Sequence, residues 1–241
     1  MNRITQVLGT SLLLGASLCP WEAQAISLDP PVNLVYNGSF EDIESTFIGD
    51  SHVNMSLLPG SMILPGWTVF GAELGWVGMG PGDWGVDAKD GNKLVDFTGY
   101  HNDGIYAGVT QDILTDVGTV YEVVFHIGRG GNGDANYAGP NAVRAMAGDL
   151  SGVYHDEVFT SSGGTSDPTA WERFSFRFTA QDMVTTISFQ GAGKGGCCLV
   201  GLDDVAVTAV PEPGTYALIA TGALMVGWQL RRRPRQNSRM I

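Results

Sequence analysis

The sequence is poor in charge, and poorer still in positive charge. Only 16% of its 241 residues are charged, and 13 Lys and Arg stand against 25 Asp and Glu, for a formal net charge of −12. The deficit deepens between the ends: residues 26–210 hold 7 basic and 23 acidic side chains, a balance of −16. Such a body repels phosphate backbones and anionic lipid, which excludes nucleic acid as a partner and favours neutral ligands and divalent cations. Cysteine is nearly missing. Cys19, Cys197 and Cys198 are the three present, so neither a disulfide framework nor a His/Cys zinc cluster is encoded. Catalytic constellations are missing too. Gly-x-Ser-x-Gly is absent, and none of His52, His101, His126 and His155 has an Asp three residues before it, so Ser51 gains no assignable base. The glycine-rich stretch 128–141 lacks the Gly-Lys-Ser/Thr of a phosphate loop. The spacing of Asn132, Asp134 and Asn136 fails as a calcium loop, because Tyr137 and Val143 hold the required Gly and Glu positions.

What is present is alternation. Phe174, Phe176 and Phe178 are interleaved with Arg173, Ser175, Arg177 and Thr179, and Tyr121, Val123, Phe125 and Ile127 follow the same period of two. Strands are predicted at Leu34–Tyr36, Trp67–Phe70, Leu94–Phe97, Ala107–Ile113, 119–127, Ala142–Ala147, Val153–Phe159, 171–180, Val184–Gln190 and Leu202–Thr208. No amphipathic helix interrupts them. About ten short strands separated by turn residues specify an all-β chain with a single antiparallel β-sandwich.

The ends read as addresses. Residues 1–25 form a signal peptide: Arg3 precedes the apolar run Val7 to Leu18, and Ala23-Gln24-Ala25 supplies the small residues of a cleavage site. At the other end, Pro211-Glu212-Pro213 leads into the apolar run Tyr216 to Leu230 and then Arg231-Arg232-Arg233. Fifteen helical residues rise about 22 Å, short of a hydrocarbon core of about 30 Å, and snorkelling arginines extend the reach. The arginines hold that end cytoplasmic and leave the body outside. The two prolines keep the tripeptide extended and accessible.

Pro-Glu-Pro, apolar run and Arg cluster in this order resemble the PEP-CTERM sorting signal. The resemblance implies recognition by a membrane-embedded exosortase, cleavage near the tripeptide, transient inner-membrane anchoring, and a Gram-negative host that makes exopolysaccharide and biofilm. The expected division is 1–25 signal peptide, 26–210 ectodomain, 211–235 sorting signal with its transmembrane helix, and 236–241 tail. Within the ectodomain, Asn33-Leu34-Val35-Tyr36-Asn37-Gly38-Ser39-Phe40-Glu41, then Leu64-Pro65-Gly66-Trp67, and finally Gly201-Leu202-Asp203-Asp204-Val205-Ala206-Val207 resemble the galactose-binding-like jelly rolls that include carbohydrate-binding modules. That resemblance implies neighbouring first and last strands that share a structural calcium ion.

Alternation puts Asp203 on the face of Val205 and Val207, where a lone carboxylate is costly unless paired or metal-bound. Glu41 is expected to meet it around Ca2+, whose oxygen preference suits the pair. Asp203 as the cap of a turn is the alternative, and the resemblance selects Asp203 over Asp204. For glycan stacking the expected residues are Trp84 and Tyr100, with Trp76 and Tyr106 beside them, while Trp67 opens a strand and reads as core. Cys197-Cys198 are compatible with a vicinal disulfide, with bridges to other chains, or with one buried and one exposed thiol. These readings converge on an exported, non-enzymatic protein of the cell surface or exopolysaccharide matrix that binds extracellular polysaccharide. The alternatives are a purely structural matrix protein and a glycan-active enzyme.

Overall fold

A computed structural model describes residues 31–43, 47–80, 87–99, 105–128, 140–162, 170–193, 199–211, 221–225 and 228. Among these residues eleven strands run in the order β1 (Asn54–Leu57), β2 (Thr68–Phe70), β3 (Leu74–Gly78), β4 (Lys93–Asp96), β5 (Gly108–Leu114), β6 (Val120–Gly128), β7 (Ala142–Asp149), β8 (Gly152–Thr160), β9 (Trp171–Thr179), β10 (Val184–Gly191) and β11 (Gly201–Ala209). Every pairing is antiparallel. They build a six-stranded sheet, β1-β3-β4-β11-β6-β9, and a five-stranded sheet, β2-β5-β10-β7-β8. This is the jelly-roll sandwich expected from the alternation.

The inward positions of the two sheets make the core. Val123, Phe125 and Ile127 of β6 and Val205 and Val207 of β11 face Val109, Ile113, Ile187 and Phe189 of the other sheet, all buried. Phe125 meets Phe189 at 5.0 Å between centroids and Phe159 edge-on at 5.2 Å. Rings in such tilted and edge-on arrangements add to the burial of their area.

Three sequence expectations change here. Residues 34–36 form no strand: Leu34 N–H donates to the Val207 carbonyl and Asn33 Oδ1 accepts the Val207 N–H (2.8 and 2.9 Å), so a side chain replaces a ladder rung beside β11. The opening segment and the last strand are nonetheless neighbours. β1 and β3 were not anticipated. Finally, the pairing of β11 with β6 shifts register between Asp203 and Ala206, with Asp204 at φ +52°. Leu202 faces Ile127 and Val207 faces Val123, so the extra residue sets Asp203, opposite His126, on the outer side of the sheet rather than with Val205.

Two units are distinguished in the chain: the sandwich unit, Pro30–Tyr216, and the terminal segments Met1–Asp29 and Ala217–Ile241, in which residues 221–225 and 228 are helical. Among the described residues no helix is long and apolar enough to cross a membrane.

Candidate functional site

Two regions gather polar chemistry. The first is the chain leading into β4. Asp203 Oδ2 accepts the backbone N–H of Lys89 and Asp90 (2.7 and 3.0 Å), and Oδ1 accepts that of Asp204 (2.7 Å). Glu41 Oε1 accepts the N–H of Asn92 and Lys93 (2.6 and 2.5 Å). Gly91, between these grips, has φ +72°, and a Cβ there would run into the Glu41 carboxyl. The two carboxylates chosen from sequence are therefore brought to one short loop, folded over the outer side of the six-stranded sheet. Asp203 has no solvent exposure, and burial pushes its carboxyl up to about 8 against the lowering effect of its three N–H donors.

A buried carboxylate of this kind stays neutral or takes a cation. Among the described residues no three His, Cys, Asp or Glu side chains gather as metal ligands. A calcium ion would thus draw most of its shell from backbone carbonyls and water, as its flexible coordination allows. His126 adjoins this region, with Nδ1 3.2 Å from Asp204 Oδ2, and burial holds its ring below the usual range.

The second region is the outer face of the five-stranded sheet. Val69 and Val109 point inward, so their neighbours Phe70 and Gly108, paired across β2 and β5, point outward. A Cβ on Gly108 would fall within the Phe70 ring, so the ring of this half-buried residue lies across the glycine. In register follow Gln190 and Arg144, then Thr110, Ser188 and Met146 in the next row. Thr110 and Ser188 share a hydrogen bond (2.9 Å), Thr186 Oγ1 donates to Asp112 (2.5 Å), and Arg144 holds Asp156 through Nε and Nη2 (2.6 and 2.5 Å). The result is an aromatic edge bordered by hydroxyl, amide and self-neutralised ionic groups.

Sequence reasoning missed this face. The signal that could have found it is Thr-Val-Phe facing Gly-Val-Thr, two short alternating runs with a glycine where an aromatic needs room.

The aromatic expectations are partly corrected. Trp76 has no exposure; its Nε1–H donates to the Phe40 carbonyl (3.1 Å) and its ring meets Phe47 edge-on at 4.9 Å, so it is a core residue of β3 and offers no stacking surface. Tyr106 is also buried, against Gly191 and Gly193. Trp67 is core as expected. Trp84, Tyr100, Cys197, Cys198, Glu212, Pro213 and Arg231–Arg233 lie outside the described residues, and Pro211 is exposed at the end of the sandwich.

An antiparallel jelly roll with an open polar sheet face, continued by a sorting tail, is thus the class of protein defined by fold and sequence. Residues 33–208 match the model of DUF642, described as a protein of unknown function, and the chain belongs to that family. Residues 209–233 match the PEP-CTERM protein-sorting motif. The chain is 26% identical over 190 residues to halomucin of Haloquadratum walsbyi, which covers 78% of this chain and 2% of halomucin, so it spans about 2% of the length of that curated relative. Among solved structures it is similar to TmCBM61 in complex with β-1,4-galactotriose (16% identity, 74% of this chain and 99% of that one, TM-score 0.48). It is also similar to a family 35 carbohydrate-binding module from Clostridium thermocellum (13% identity, 65% and 99%, TM-score 0.41).

Proposed function

We propose that this is an exported, exosortase-processed surface protein that carries out no chemistry and binds a neutral extracellular polysaccharide through the outer face of its five-stranded sheet. The observation that carries the reading is the Phe70 ring laid across Gly108 beside Gln190, Arg144 and Ser188. An aromatic edge accepts the apolar face of a sugar ring, and the flanking amide, guanidinium and hydroxyl groups suit its rim of hydroxyls. A balance of −16 over residues 26–210 disfavours an anionic polysaccharide. Calcium held by Glu41 and Asp203, with backbone carbonyls of the loop between them, would neutralise the buried carboxylate and keep the loop closed.

Retention on the host's matrix polysaccharide tests the reading. Phe70→Ala with Gln190→Ala should reduce it by about five- to thirtyfold, the equivalent of one lost aromatic contact of about 1–2 kcal/mol. A Trp84→Ala/Tyr100→Ala pair tested beside it reads whether those rings contribute. Equal retention of wild type and the Phe70/Gln190 variant would remove the sheet face as the site, and no retention of either would leave a purely structural matrix role. Sorting is read separately by mass spectrometry of the exported protein, in which residues after the Pro-Glu-Pro tripeptide should be missing; an intact C-terminus in the presence of exosortase would contradict it.

A further inference from the structure

Gly75 stands in a ring of oxygen-bearing side chains. In register it meets Ser56 of β1 on one side and Asp96 of β4 on the other. Its chain neighbours Leu74 and Trp76 point into the main core, so this row faces the outer side of the six-stranded sheet. Asn54 lies on the same side with its partner Val77, which belongs to the outer cluster beside Leu94. Glu73 joins through the Ser56 hydroxyl, which donates to Glu73 Oε1. Thr98 joins through its own hydroxyl, 2.7 Å from each Asp96 carboxyl oxygen. Among the described residues the hydrogen-bond partners of Asp96 are that hydroxyl and the N–H groups of Thr98 and Val200, and none is a cation.

Asn54 is 6% exposed, and its Oδ1 is buried without a hydrogen-bond donor among the described residues. Buried polar atoms ordinarily have a partner. A Cβ on Gly75 would stand 3.3 Å from that oxygen and 3.5 Å from Asp96 Cβ. The unpartnered oxygen and the buried acid therefore converge on the space above the glycine. Every donor around that space is an oxygen, and two belong to carboxyl groups, which is the chemistry of a hard cation. The size of the space selects among such ions. Calcium gathers about six to eight oxygens, more than this ring supplies. Mg2+ is smaller, is held by one or two carboxylates and keeps several waters, and the half-exposed Glu73 leaves a side open to them.

We propose that the ring around Gly75 binds a small octahedral divalent cation, Mg2+ or Mn2+, through Asn54 Oδ1 and the carboxylates of Asp96 and Glu73, with water completing the shell. The site shares no residue with the Glu41–Asp203 clasp and does not depend on glycan binding. Bound there, the ion ties β1, an edge strand of four residues, to β4 across β3. It also keeps Asp96 ionised, so the behaviour of Asp96 as a buried acid belongs to the metal-free protein.

Full-length chain in detergent micelles is titrated with Mn2+ in excess calcium, and unbound Mn2+ is counted from its electron paramagnetic resonance signal. Wild type and Asp203→Ala should each bind one Mn2+ that Mg2+ displaces. Gly75→Ala places a methyl group in the space and leaves every donor in position. Asn54→Leu keeps the side-chain volume and removes the oxygen. Both should lose the ion while keeping the near-ultraviolet circular dichroism of a packed core. Asn54→Asp adds a third carboxylate and should bind Mn2+ more tightly than wild type. A wild type that binds no Mn2+ in excess calcium overturns the site. So does equal binding by wild type, Gly75→Ala and Asn54→Asp, which would place the ion elsewhere.

Discussion

Glu41 and Asp203 hold the two ends of one loop: Glu41 accepts the N–H groups of Asn92 and Lys93, and Asp203 those of Lys89 and Asp90. The residues are 162 apart in sequence, yet the loop between them is fastened as though by one clasp. Four backbone donors that a loop would leave to water are satisfied by two carboxylates, so the chain from Lys89 to Lys93 is a fixed part of the sandwich.

If calcium completes this clasp, its removal frees both ends of the fold. Chelation should lower the melting temperature by roughly 5–10 °C relative to calcium at a hundredfold excess over its dissociation constant, which corresponds to about 2.7 kcal/mol. Asp203→Ala should start at a lower melting temperature and show no response to calcium. Identical melting curves with and without a strong chelator would leave Asp203 as a neutral hydrogen-bonding acid.

Gly38 tests how tightly the opening segment is set against β11. Its carbonyl accepts the Val205 N–H (2.9 Å), and a Cβ at position 38 would overlap the Val205 carbonyl. Backbone cannot give way as a flexible side chain can. Gly38→Ala should cost about 1–3 kcal/mol in denaturant titration. Gly60→Ala serves as a control with free space but φ +86°, so its smaller cost reports backbone strain alone. Equal losses at both positions would mean the segment can shift.

Strands such as β5, β9 and β10 were legible because one face of each is wet or polar and leaves a period of two. β3 was not. Leu74–Gly78 is buried on both sides, with Trp76 in the main core and Val77 in a second cluster beside Leu94 and Leu199, so its residues read as a featureless apolar stretch. That one omission turned Trp76 from core into an apparent surface ring. Asp203 was expected on the face of Val205 and lies buried on the opposite one. Alternation assumes an unbroken ladder, and the extra residue at Asp204 depends on a positive φ that Asp tolerates but does not announce. The Phe70 face was invisible for a different reason: β2 spans three residues, and its partner glycine lies 38 positions away.

Trp76 and Phe70 should now separate stability from binding. Trp76→Ala removes a fully buried ring and its hydrogen bond to Phe40, so it should destabilise the sandwich by about 3–5 kcal/mol whether or not a glycan is present. Phe70→Ala should leave the melting temperature within a few degrees of wild type and reduce glycan retention. A Trp76→Ala protein that melts normally yet loses binding would reverse the assignment of the two rings.

A buried carboxyl and a half-buried imidazole give stability opposite pH dependences. Asp96 accepts Thr98 N–H and Val200 N–H (both 3.0 Å) and the Thr98 hydroxyl (2.7 Å), and burial pushes its carboxyl up to about 6. A carboxyl raised in the fold favours its protonated form. Its contribution is complete below about pH 4 and is lost as pH rises through 6, a change of roughly 3 kcal/mol for a shift of about two units. His155 is the reverse. Its ring stacks on Phe176 at 3.9 Å, and burial lowers its affinity for a proton against the opposing charge of Glu157. Its contribution is complete above about pH 6.5 and is lost on acidification, when a cation forms against the aromatic core. Urea titrations should therefore show wild type losing stability relative to Asp96→Asn between pH 4 and 6, and losing it relative to His155→Phe as pH falls below 6.5. Curves that stay parallel across that range would mean that both groups titrate as they do in the unfolded chain, and that neither is held as tightly as its hydrogen bonds and stacking indicate.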